Sequence, residues 1–512
     1  MINVLWFKRD LRLTDHDPLA WLCQQDVPVR LIYIFEPSLI ADQHYSLRHW
    51  RFVYQSLQDM QCQLAEKMAE FSVDRLSKKS LRIEVFHAEA IEVFNHIARQ
   101  GRIQTLVSYE ETGLSITFER DRQVSAWCQA HGVVWKEFQR DAVIRGLPNR
   151  HHWDQAWKKV MKAPIVTPEW ERLTVPPALE TSNEILPKEL SGFNGLSGFK
   201  ELPNEWRETE PAFQTGGSTH AHRVLTDFFA GRGRAYHYQL SKPELSRVSC
   251  SRLSPYLAWG NISLRELYQH VLQYWQQPGW RKPLRALVSR LHWHCHFIQK
   301  FESECDMEHR PINRGYQQFP YRKDSCVEAH LLAWETGQTG YPMIDAAMRC
   351  VNATGYLNFR MRAMLVSFLC HHLLIDWRLG IKHLARAFLD FEPGIHYTQF
   401  QMQASVTGIN TIRMYNPVKQ GLDNDPNATF IAQWCPELAT LPVELRHQPW
   451  QAKPMDAMFL GFEVGRDYPK PIVDLEEAGK WARDILWSWR KRPSVQKEAE
   501  RILMRHVRQE TA

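Results

Sequence analysis

The sequence lacks several features that would assign a protein to a class at once. It has no stretch of about 18 consecutive apolar residues, so no membrane-spanning helix is predicted. Its ten cysteines are scattered without a Cys-x-x-Cys pair, which argues against a disulfide framework and an iron–sulfur site. The first predicted strand is not followed by Gly-x-Gly-x-x-Gly, so the fingerprint of a dinucleotide-binding loop is also missing.

Composition and net charge further narrow the class of protein to which the chain can belong. The 512 residues are 44% hydrophobic and 23% charged, which excludes a mostly disordered or low-complexity chain. Twenty residues are tryptophan, more than a core of this size usually needs. The net charge of +6 allows nucleic acid as a partner without requiring it. Charges interrupt the first ten residues, so no secretory signal is predicted and we expect a cytoplasmic protein with reduced thiols.

The first 140 residues predict an α/β domain. Short β-rich apolar runs are predicted to be strands at Val4–Phe7, Leu31–Phe35, Ile83–His87, Thr105–Tyr109 and Val133–Phe138. Amphipathic stretches between them predict helices at Tyr45–Met68, Ala90–Arg99 and Phe118–Ala130. Strand–helix alternation at this spacing is typical of a doubly wound, mainly parallel sheet.

The remainder of the chain is predicted to be a linker followed by an all-helical domain. Residues 141–212 are punctuated by prolines and carry little periodicity, as expected for a connector. Residues 213–512 carry apolar residues at three- and four-residue steps. Helices are predicted there at Thr219–Ala230, Leu264–Gln276, Lys282–Glu302, Met343–Ala353, Asn358–Leu374, Ile381–Leu389 and Leu475–Trp489. His292 and His296 share one helical face, but no second ligand set is evident, so no metal site is predicted.

Several short motifs follow one another along nearly the whole chain. They are Leu5–His16 (LWFKRDLRLTDH), Ser251–Leu257 (SRLSPYL), Thr339–Arg349 (TGYPMIDAAMR), Leu373–Trp377 (LLIDW), Arg413–Pro417 (RMYNP), Phe430–Leu438 (FIAQWCPEL) and Asp467–Val473 (DYPKPIV). In this order they resemble the DNA photolyase/cryptochrome flavoprotein family, with the chain as a divergent bacterial-type member. The resemblance implies FAD in the helical domain, blue-light chemistry and UV-damaged DNA as the substrate.

The resemblance implies one group of residues around the FAD diphosphate and adenosine. They are Tyr238, Cys250, Ser251, Leu253 and Ser254. Tyr236 takes the adenosine position if the register slips. Cys250 stands where the family usually has Thr, so a weakly bonding thiol replaces a hydroxyl. From the residues alone, a serine before a helical run is equally an ordinary N-cap.

A second group is implied around the flavin ring. Arg362 and Asp390 correspond to the family's ion pair over the ring, and Glu392 follows two residues later. A positive charge near flavin N1 stabilises the reduced, anionic ring, although a structural salt bridge is the alternative. His396 corresponds to the residue facing N5, which is Asn in many photolyases and Asp in plant cryptochromes. A histidine can hydrogen-bond or protonate N5 near neutral pH.

The implied DNA-lesion pocket departs from the family pattern. Trp293 corresponds to the indole that packs on a flipped pyrimidine dimer, with a core tryptophan as the alternative. Arg290 stands where enzymes acting on cyclobutane dimers have Glu, and Met402 replaces a second pocket Trp. Asn358 and Phe359 replace His and Asn, and the histidine of the (6-4) enzymes is missing. The remaining expected contacts with DNA are Arg360 and Arg413, for which solvated surface charge is the alternative.

The implied electron-transfer chain is also incomplete. Trp377 corresponds to the middle member of the family's three tryptophans. Phe400 stands at the flavin-proximal position, where it is a poor one-electron donor. Tyr397 and Tyr356 are candidates to replace the missing tryptophan. The predicted catalytic residues are therefore Trp293, Trp377 and His396.

The function predicted from these residues is blue-light-driven repair of pyrimidine dimers, with cyclobutane dimers preferred. The alternatives are a cryptochrome-type photoreceptor without repair activity and a (6-4) photolyase. A second, antenna chromophore, a folate or a deazaflavin, is allowed in the α/β domain, where Glu110 or Glu111 follows a strand. We expect a monomer whose partner is DNA rather than a membrane.

Overall fold

The computed structural model describes residues 1–71, 81–174 and 201–507, which form two compact units. Unit 1 comprises Met1–Ile144, Gln155–Asp227 and Leu253–Gln277, and unit 2 comprises Arg145–Asp154, Phe228–Arg252 and Pro278–Ala512. Residues 175–200 of the predicted linker lie outside the described residues. The predicted boundaries at 140 and 213 stay predictions.

Unit 1 is built on a five-stranded parallel sheet with the strand order β3-β2-β1-β4-β5. Its strands are β1 (Ile2–Phe7), β2 (Val29–Phe35), β3 (Ile83–His87), β4 (Ile103–Tyr109) and β5 (Val134–Phe138). The register pairs Leu5 with Leu31 on one side of β1 and with Val107 on the other. Central β1 and β2 read as nearly unbroken apolar runs because helices cover both faces of a parallel sheet. All five predicted strands are present, and the predicted doubly wound α/β fold is confirmed.

The helices before residue 277 belong partly to unit 1 and partly to unit 2. They are α1 (Asp17–Leu22), α2 (Pro37–Ile40), α3 (Leu47–Phe71), α4 (Ala90–Gln100), α5 (Ser115–His131), α6 (Trp153–Lys162), α7 (Ser218–Ala230), α8 (Tyr236–Gln239), α9 (Pro243–Ser249), α10 (Ser254–Ala258) and α11 (Leu264–Gln273). Among them, α4 and α5 pack on β1 and β4 through Trp6, Phe94 and Trp127.

The described part of the chain beyond residue 277 is helical, as the sequence predicts, and it belongs to unit 2. Its helices are α12 (Arg281–Ser303), α13 (Val327–Thr336), α14 (Pro342–Thr354), α15 (Phe359–Ser367), α16 (Trp377–Ala387), α17 (Pro393–Gln403), α18 (Pro417–Asn424), α19 (Thr429–Trp434), α20 (Val443–His447), α21 (Pro454–Leu460), α22 (Leu475–Arg490) and α23 (Pro493–His506). No helix among the described residues is long and apolar enough to cross a bilayer.

One predicted helix is divided in the structure. The helix predicted over Asn358–Leu374 ends at Ser367 and continues as a π-helical turn, Phe368–His372. The hydroxyl of Ser367 bonds the His371 ring and accepts the backbone N–H of Tyr415, so the turn is anchored by side chains that periodicity does not reveal.

The close contact between α12 and α17 positions the site. A Cβ on Gly394 of α17 would lie 2.6 Å from the Cα of Ile298 on α12, so only glycine permits this approach. The Thr398 hydroxyl donates to the Phe297 carbonyl at 3.3 Å, which fixes the two helices in one register. Residues on α12 and α17 are therefore held rigidly relative to each other.

Candidate functional site

An open, mainly apolar cleft lies in unit 2 between α15, α17 and the segment that precedes α17. Its empty space is about 580 Å³, counted with the solvent at its mouth. The lining residues are Phe359, Arg362, Ala363, Val366, Leu384, Phe388, Asp390, Phe391, Glu392, Ile395, His396, Gln399, Phe400 and Gln403. A flat aromatic ligand needs this combination of apolar walls with a few polar groups.

Arg362 and Asp390 form a two-bond ion pair in the cleft wall. Arg362 Nη1 lies 3.0 Å from Asp390 Oδ1, and Nη2 lies 2.9 Å from Oδ2. The Arg362 Nε–H also donates to the Leu357 carbonyl at 2.7 Å, and the guanidinium lies 3.9 Å from the centre of the Phe388 ring. Because three partners, Asp390, Leu357 and Phe388, fix the guanidinium, its positive charge has a defined place in the wall.

The beginning of α17 places Glu392 and His396 beside this pair. Glu392 is buried at the position before Pro393, where the helix starts. The His396 Nε2 lies 2.9 Å from the Ile381 carbonyl, and because a carbonyl only accepts, this nitrogen carries the proton. In the neutral ring Nδ1 is then the acceptor. His396 also packs edge-on against Phe391, with ring centres 5.3 Å apart.

Gln399 is a cleft residue that the sequence analysis missed. It lies three residues after His396 on α17, and its buried Oε1 has no donor among the described residues. An amide oxygen left without a donor in an apolar cleft fits a ligand that brings N–H groups, as a flavin ring does. The only signal for it in the sequence is the spacing from His396, since one helical turn places both side chains on one face.

The residues predicted to bind the FAD diphosphate belong partly to unit 2 and partly to unit 1. Cys250 and Ser251 belong to unit 2, where Arg232 donates to the carbonyls of both. Burial raises the pKa of the Cys250 thiol to about 11, so it stays neutral. Leu253 and Ser254 belong to unit 1, where they begin α10.

The candidate adenosine tyrosines differ in exposure. Tyr236 is 7% exposed, whereas Tyr238 is 60% exposed and packs edge-on against the neighbouring His237 ring. Nearby, Arg252 has a left-handed φ of 61° and its guanidinium lies 3.7 Å from the centre of the buried Tyr356 ring.

Trp293 and Arg290 lie one turn apart on α12. The Trp293 side chain is 42% exposed, and its ring centre lies 6.0 Å from that of Phe297. The half-buried Arg290 guanidinium lies 5.4 Å from the centre of the Trp293 ring. An exposed indole on a rigid helix is an open surface on which a flat group can stack.

The other predicted DNA contacts fall into two classes. Arg413 is exposed and Met402 half-buried, while Arg360 is half-buried and 3.5 Å from the Gln420 amide oxygen. Asn358 is instead used by the fold, because its amide caps α15 at the Met361 N–H and donates to the Leu240 carbonyl. The next residue, Phe359, is 40% exposed and lines the cleft, whereas Asn358 does not.

Trp377 lies behind the cleft, fully buried at the start of α16. Its ring centre lies 6.4 Å from that of buried Tyr397, and its Nε1–H has no acceptor among the described residues. The centre of the Tyr397 ring in turn lies 6.0 Å from the centre of the His396 ring, and His396 lines the cleft. This series of ring contacts joins Trp377 to the cleft and does not include Phe400.

Unit 1 contains a separate pocket at the carboxyl ends of β1 and β2, with a charged wall. Arg120 binds Glu36 at 2.8 Å and Glu111 at 2.6 Å. Although burial opposes it, the charges of Lys8 and Arg120 lower the pKa of the Glu111 carboxyl to about 2. The Glu111 carboxylate is thus already paired, whereas Glu110 is half-buried at the end of β4.

Comparisons with known proteins identify the family to which the chain belongs. A sequence model described as DNA photolyase matches residues 3–156, and one described as the FAD binding domain of DNA photolyase matches residues 287–488. The chain is 26% identical to cryptochrome DASH of Synechocystis sp. over 511 residues, covering 94% of this chain and 97% of the relative. It is 28% identical to the deoxyribodipyrimidine photo-lyase of Escherichia coli over 493 residues, covering 93% and 96%.

A solved cryptochrome structure from Synechocystis sp. shares the fold, with a TM-score of 0.80 at 24% identity and coverage of 94% of this chain and 99% of that one. The two sequence models together match more than half of the chain, and they cover both the sheet and the helices around the cleft. The chain therefore belongs to the DNA photolyase/cryptochrome flavoprotein family, and FAD is the cofactor of its helical domain.

Proposed function

We propose that the protein is a light-driven, FAD-dependent enzyme of the cytoplasm that splits UV-induced pyrimidine dimers in DNA, with cyclobutane dimers preferred. The observation that carries the proposal is the exposed Trp293 on α12, the helix that packs tightly on the cleft helix α17. Stacking on an aromatic side chain contributes about 1–3 kcal/mol per base, enough to hold a dimer flipped out of the duplex.

The cleft residues have distinct tasks on this proposal. FAD bound there supplies the light-excited electron donor. Arg362, held by Asp390, places positive charge where the reduced ring is negative. His396 is fixed by its bond to the Ile381 carbonyl, so Nδ1 of its ring is the hydrogen-bond acceptor. Glu392 places a carboxyl side chain at the start of α17. The apolar lining excludes water from the ring.

The DNA backbone is the proposed partner of the cationic side chains nearby. Arg413 is exposed, and the Lys419 side chain is 73% exposed. Arg360 has a buried Nε–H without an acceptor among the described residues. Guanidinium and ammonium groups of this kind position DNA by phosphate contacts rather than by reading bases.

Illumination of the reduced, FAD-containing protein with oligonucleotides carrying one cyclobutane dimer is expected to remove the lesion. The measurement is chromatographic loss of the dimer on single- and double-stranded substrates, with a dark sample as the control. Removal of a (6-4) lesion instead would revise the substrate. No repair of either lesion, with FAD bound, would favour the photoreceptor.

The photoreceptor is the second candidate because Phe400 and Met402 occupy positions where the family places tryptophans. A protein that does not repair DNA has no need of the second pocket indole. The same illumination experiment separates the two functions.

Electron supply to the cofactor is proposed to run from Trp377 past the Tyr397 ring to the cleft. Phenylalanine at position 400 is too weak a one-electron donor to serve, whereas the contacts Trp377–Tyr397 and Tyr397–His396 bridge the distance. On this route Trp377 would be the one-electron donor to the cofactor, and an external reductant would restore the oxidised Trp377.

Trp377→Phe is expected to slow light-driven reduction of bound FAD at least tenfold, because it removes the donor while keeping a ring in the core. The rate is followed by flavin absorbance under blue light with dithiothreitol present. Trp280→Phe, at another fully buried tryptophan of unit 2, controls for core damage and should leave the rate unchanged. Equal rates in Trp377→Phe and the unmodified protein would remove Trp377 from the route.

A second chromophore is proposed to occupy the pocket of unit 1 at the ends of β1 and β2. Of the two candidate acidic residues, Glu111 lines this pocket and is bound to Arg120, whereas Glu110 does not line it.

A further inference from the structure

Two cations buried in unit 2, Arg150 and Lys300, have donors that the fold does not use. Arg150 is 5% exposed, and Lys300 on α12 is 6% exposed. The Arg150 Nη2–H donates to the His296 carbonyl at 3.2 Å, but the buried Nη1 has no acceptor among the described residues. The Lys300 ammonium makes no hydrogen bond and no ion pair within the part of the chain that the structure describes. Neither residue of this buried cation pair lines the cleft.

The two cations lie against the same turn of α12. In an α-helix the carbonyl of residue 296 accepts the backbone N–H of residue 300, so Arg150 binds a carbonyl directly beside the Lys300 backbone. Side chains on a helix lean toward its N-terminus, which brings the Lys300 ammonium back toward this turn. Burial and the Arg150 charge lower the pKa of Lys300 to about 8, and burial lowers the pKa of Arg150 to about 9. Both side chains are therefore still mainly charged at pH 7.

The two histidine rings beside the buried cation pair are neutral. Burial, together with the charges of Arg150 and Lys300, lowers the pKa of His296 to about 3. Burial also lowers the pKa of His506 to about 4, although its bond to Glu304 opposes the shift. A neutral imidazole adds no counter-charge, so these rings leave the charge of the pair in place.

Two carboxylates act on the buried cation pair from nearby, and both already have other partners. One is Asp154, whose Oδ1 lies 2.9 Å from the His292 Nε2. The other is Glu304, whose Oε1 accepts charged donors of α23 at 2.6 and 3.1 Å, from Arg501 and Arg505. Among the described residues, neither carboxylate forms an ion pair with the buried cation pair, so two positive charges stand together without a bonded anion.

We infer that Arg150 and Lys300 form the binding site of a small inorganic anion of the halide class, with chloride as the natural ligand. A buried charge without a counter-charge is strongly destabilising, and an anion that accepts from the Arg150 Nη1–H and the Lys300 ammonium removes this cost. Both side chains are more than nine-tenths buried, so the site takes a small ion rather than a phosphorylated molecule. The site lies outside the cleft and does not rest on the proposed function.

The bound anion has a structural consequence. Arg150 belongs to the segment Arg145–Asp154, which is part of unit 2 and precedes most of α6. An anion shared by Arg150 and Lys300 ties this segment to α12. The folded protein should therefore be more stable when chloride is present, because the ion binds a site that the unfolded chain does not have.

Thermal unfolding of the FAD-containing full chain tests this consequence. Chloride replaces gluconate at constant ionic strength, so that general screening of charges stays the same. Gluconate is too large for the site and serves as the anion that does not bind. We expect the Tm to rise by about 2–4 °C when chloride increases from about 5 mM to about 500 mM.

A variant at position 300 tests whether the rise depends on the buried cation pair. Lys300→Met keeps the length of the side chain and removes its charge, so its Tm should not depend on chloride. In gluconate its Tm should be no lower than that of the unmodified protein, because a buried charge that lacks its anion has been removed. Lys480→Met removes an exposed lysine from α22 of the same unit and should retain the full chloride dependence.

Crystals of the unmodified protein soaked in sodium bromide locate the ion directly, because bromide replaces chloride and scatters anomalously. A peak is expected between the Arg150 Nη1 and the Lys300 Nζ, and this measurement does not require a variant to fold. Three results would each overturn the inference. They are a Tm of the unmodified protein that is the same in chloride and gluconate, an equal chloride dependence in Lys300→Met, and crystals without a bromide peak at the buried cation pair.

Discussion

Trp293→Ala is expected to remove most of the preference of the protein for damaged over undamaged DNA. The indole is the proposed stacking surface for the flipped dimer, and a lost stack costs about 1–3 kcal/mol per base, or a rise in Kd of about fivefold to 140-fold. The Arg290 guanidinium also loses the ring that positions it. The fold should tolerate the change, because 42% of the side chain is exposed.

The measurement is anisotropy in the dark at fixed salt, with dimer-containing and undamaged oligonucleotides. Trp481→Ala is the matched control, since Trp481 is 51% exposed on α22 of the same unit and has no predicted role. Trp293→Ala should weaken binding of damaged DNA and leave undamaged DNA unchanged, because phosphate contacts serve both. Equal weakening of both, or the same loss in Trp481→Ala, would show that Trp293 is not the stacking surface.

The fold was largely predictable because its sheet is covered on both faces. In such a sheet the central strands are almost entirely buried, so β2 is an apolar run broken only by the buried Arg30 and ends where the charge of Glu36 appears. Helical periodicity found the long helices but not their interruptions. The π-helical turn after Ser367 depends on bonds to His371 and Tyr415, the second of them 48 positions along the chain, and a local pattern carries no such information.

The site was predictable only where the family resemblance supplied it. Arg362 and Asp390 are 28 residues apart, and no local pattern predicts their ion pair. Gln399 is not predicted from the sequence, because a polar residue on a helix normally faces water. Asn358 was interpreted as a DNA contact, although an asparagine directly before a helix is a known N-cap signal and the structure shows that use.

Asp390→Asn is expected to weaken FAD binding at least tenfold. The carboxylate is nearly buried, with 7% of its side chain exposed, and it holds the Arg362 guanidinium by two charged bonds. An amide of the same shape turns one donor toward the guanidinium, so Arg362 loses its fixed place in the cleft wall. Because Arg362 is itself 26% exposed, the loss of folding free energy should stay near 2 kcal/mol, below the 3–5 kcal/mol of a fully buried pair.

The Arg349–Glu437 pair provides the control that separates a role in the cleft from a role in stability. Its N–O distance is 2.6 Å, and Arg349 is 24% exposed, close to the 26% of Arg362, so Glu437→Gln makes the same chemical change outside the cleft. Because Glu437 is 27% exposed and Asp390 only 7%, urea unfolding of the two apoproteins should give the smaller loss of stability in Glu437→Gln. Equilibrium dialysis should show weakened FAD binding in Asp390→Asn alone, since only that change frees a charge beside the flavin ring. If both variants release FAD equally, the Arg362–Asp390 pair supports the fold and has no specific part in holding the cofactor.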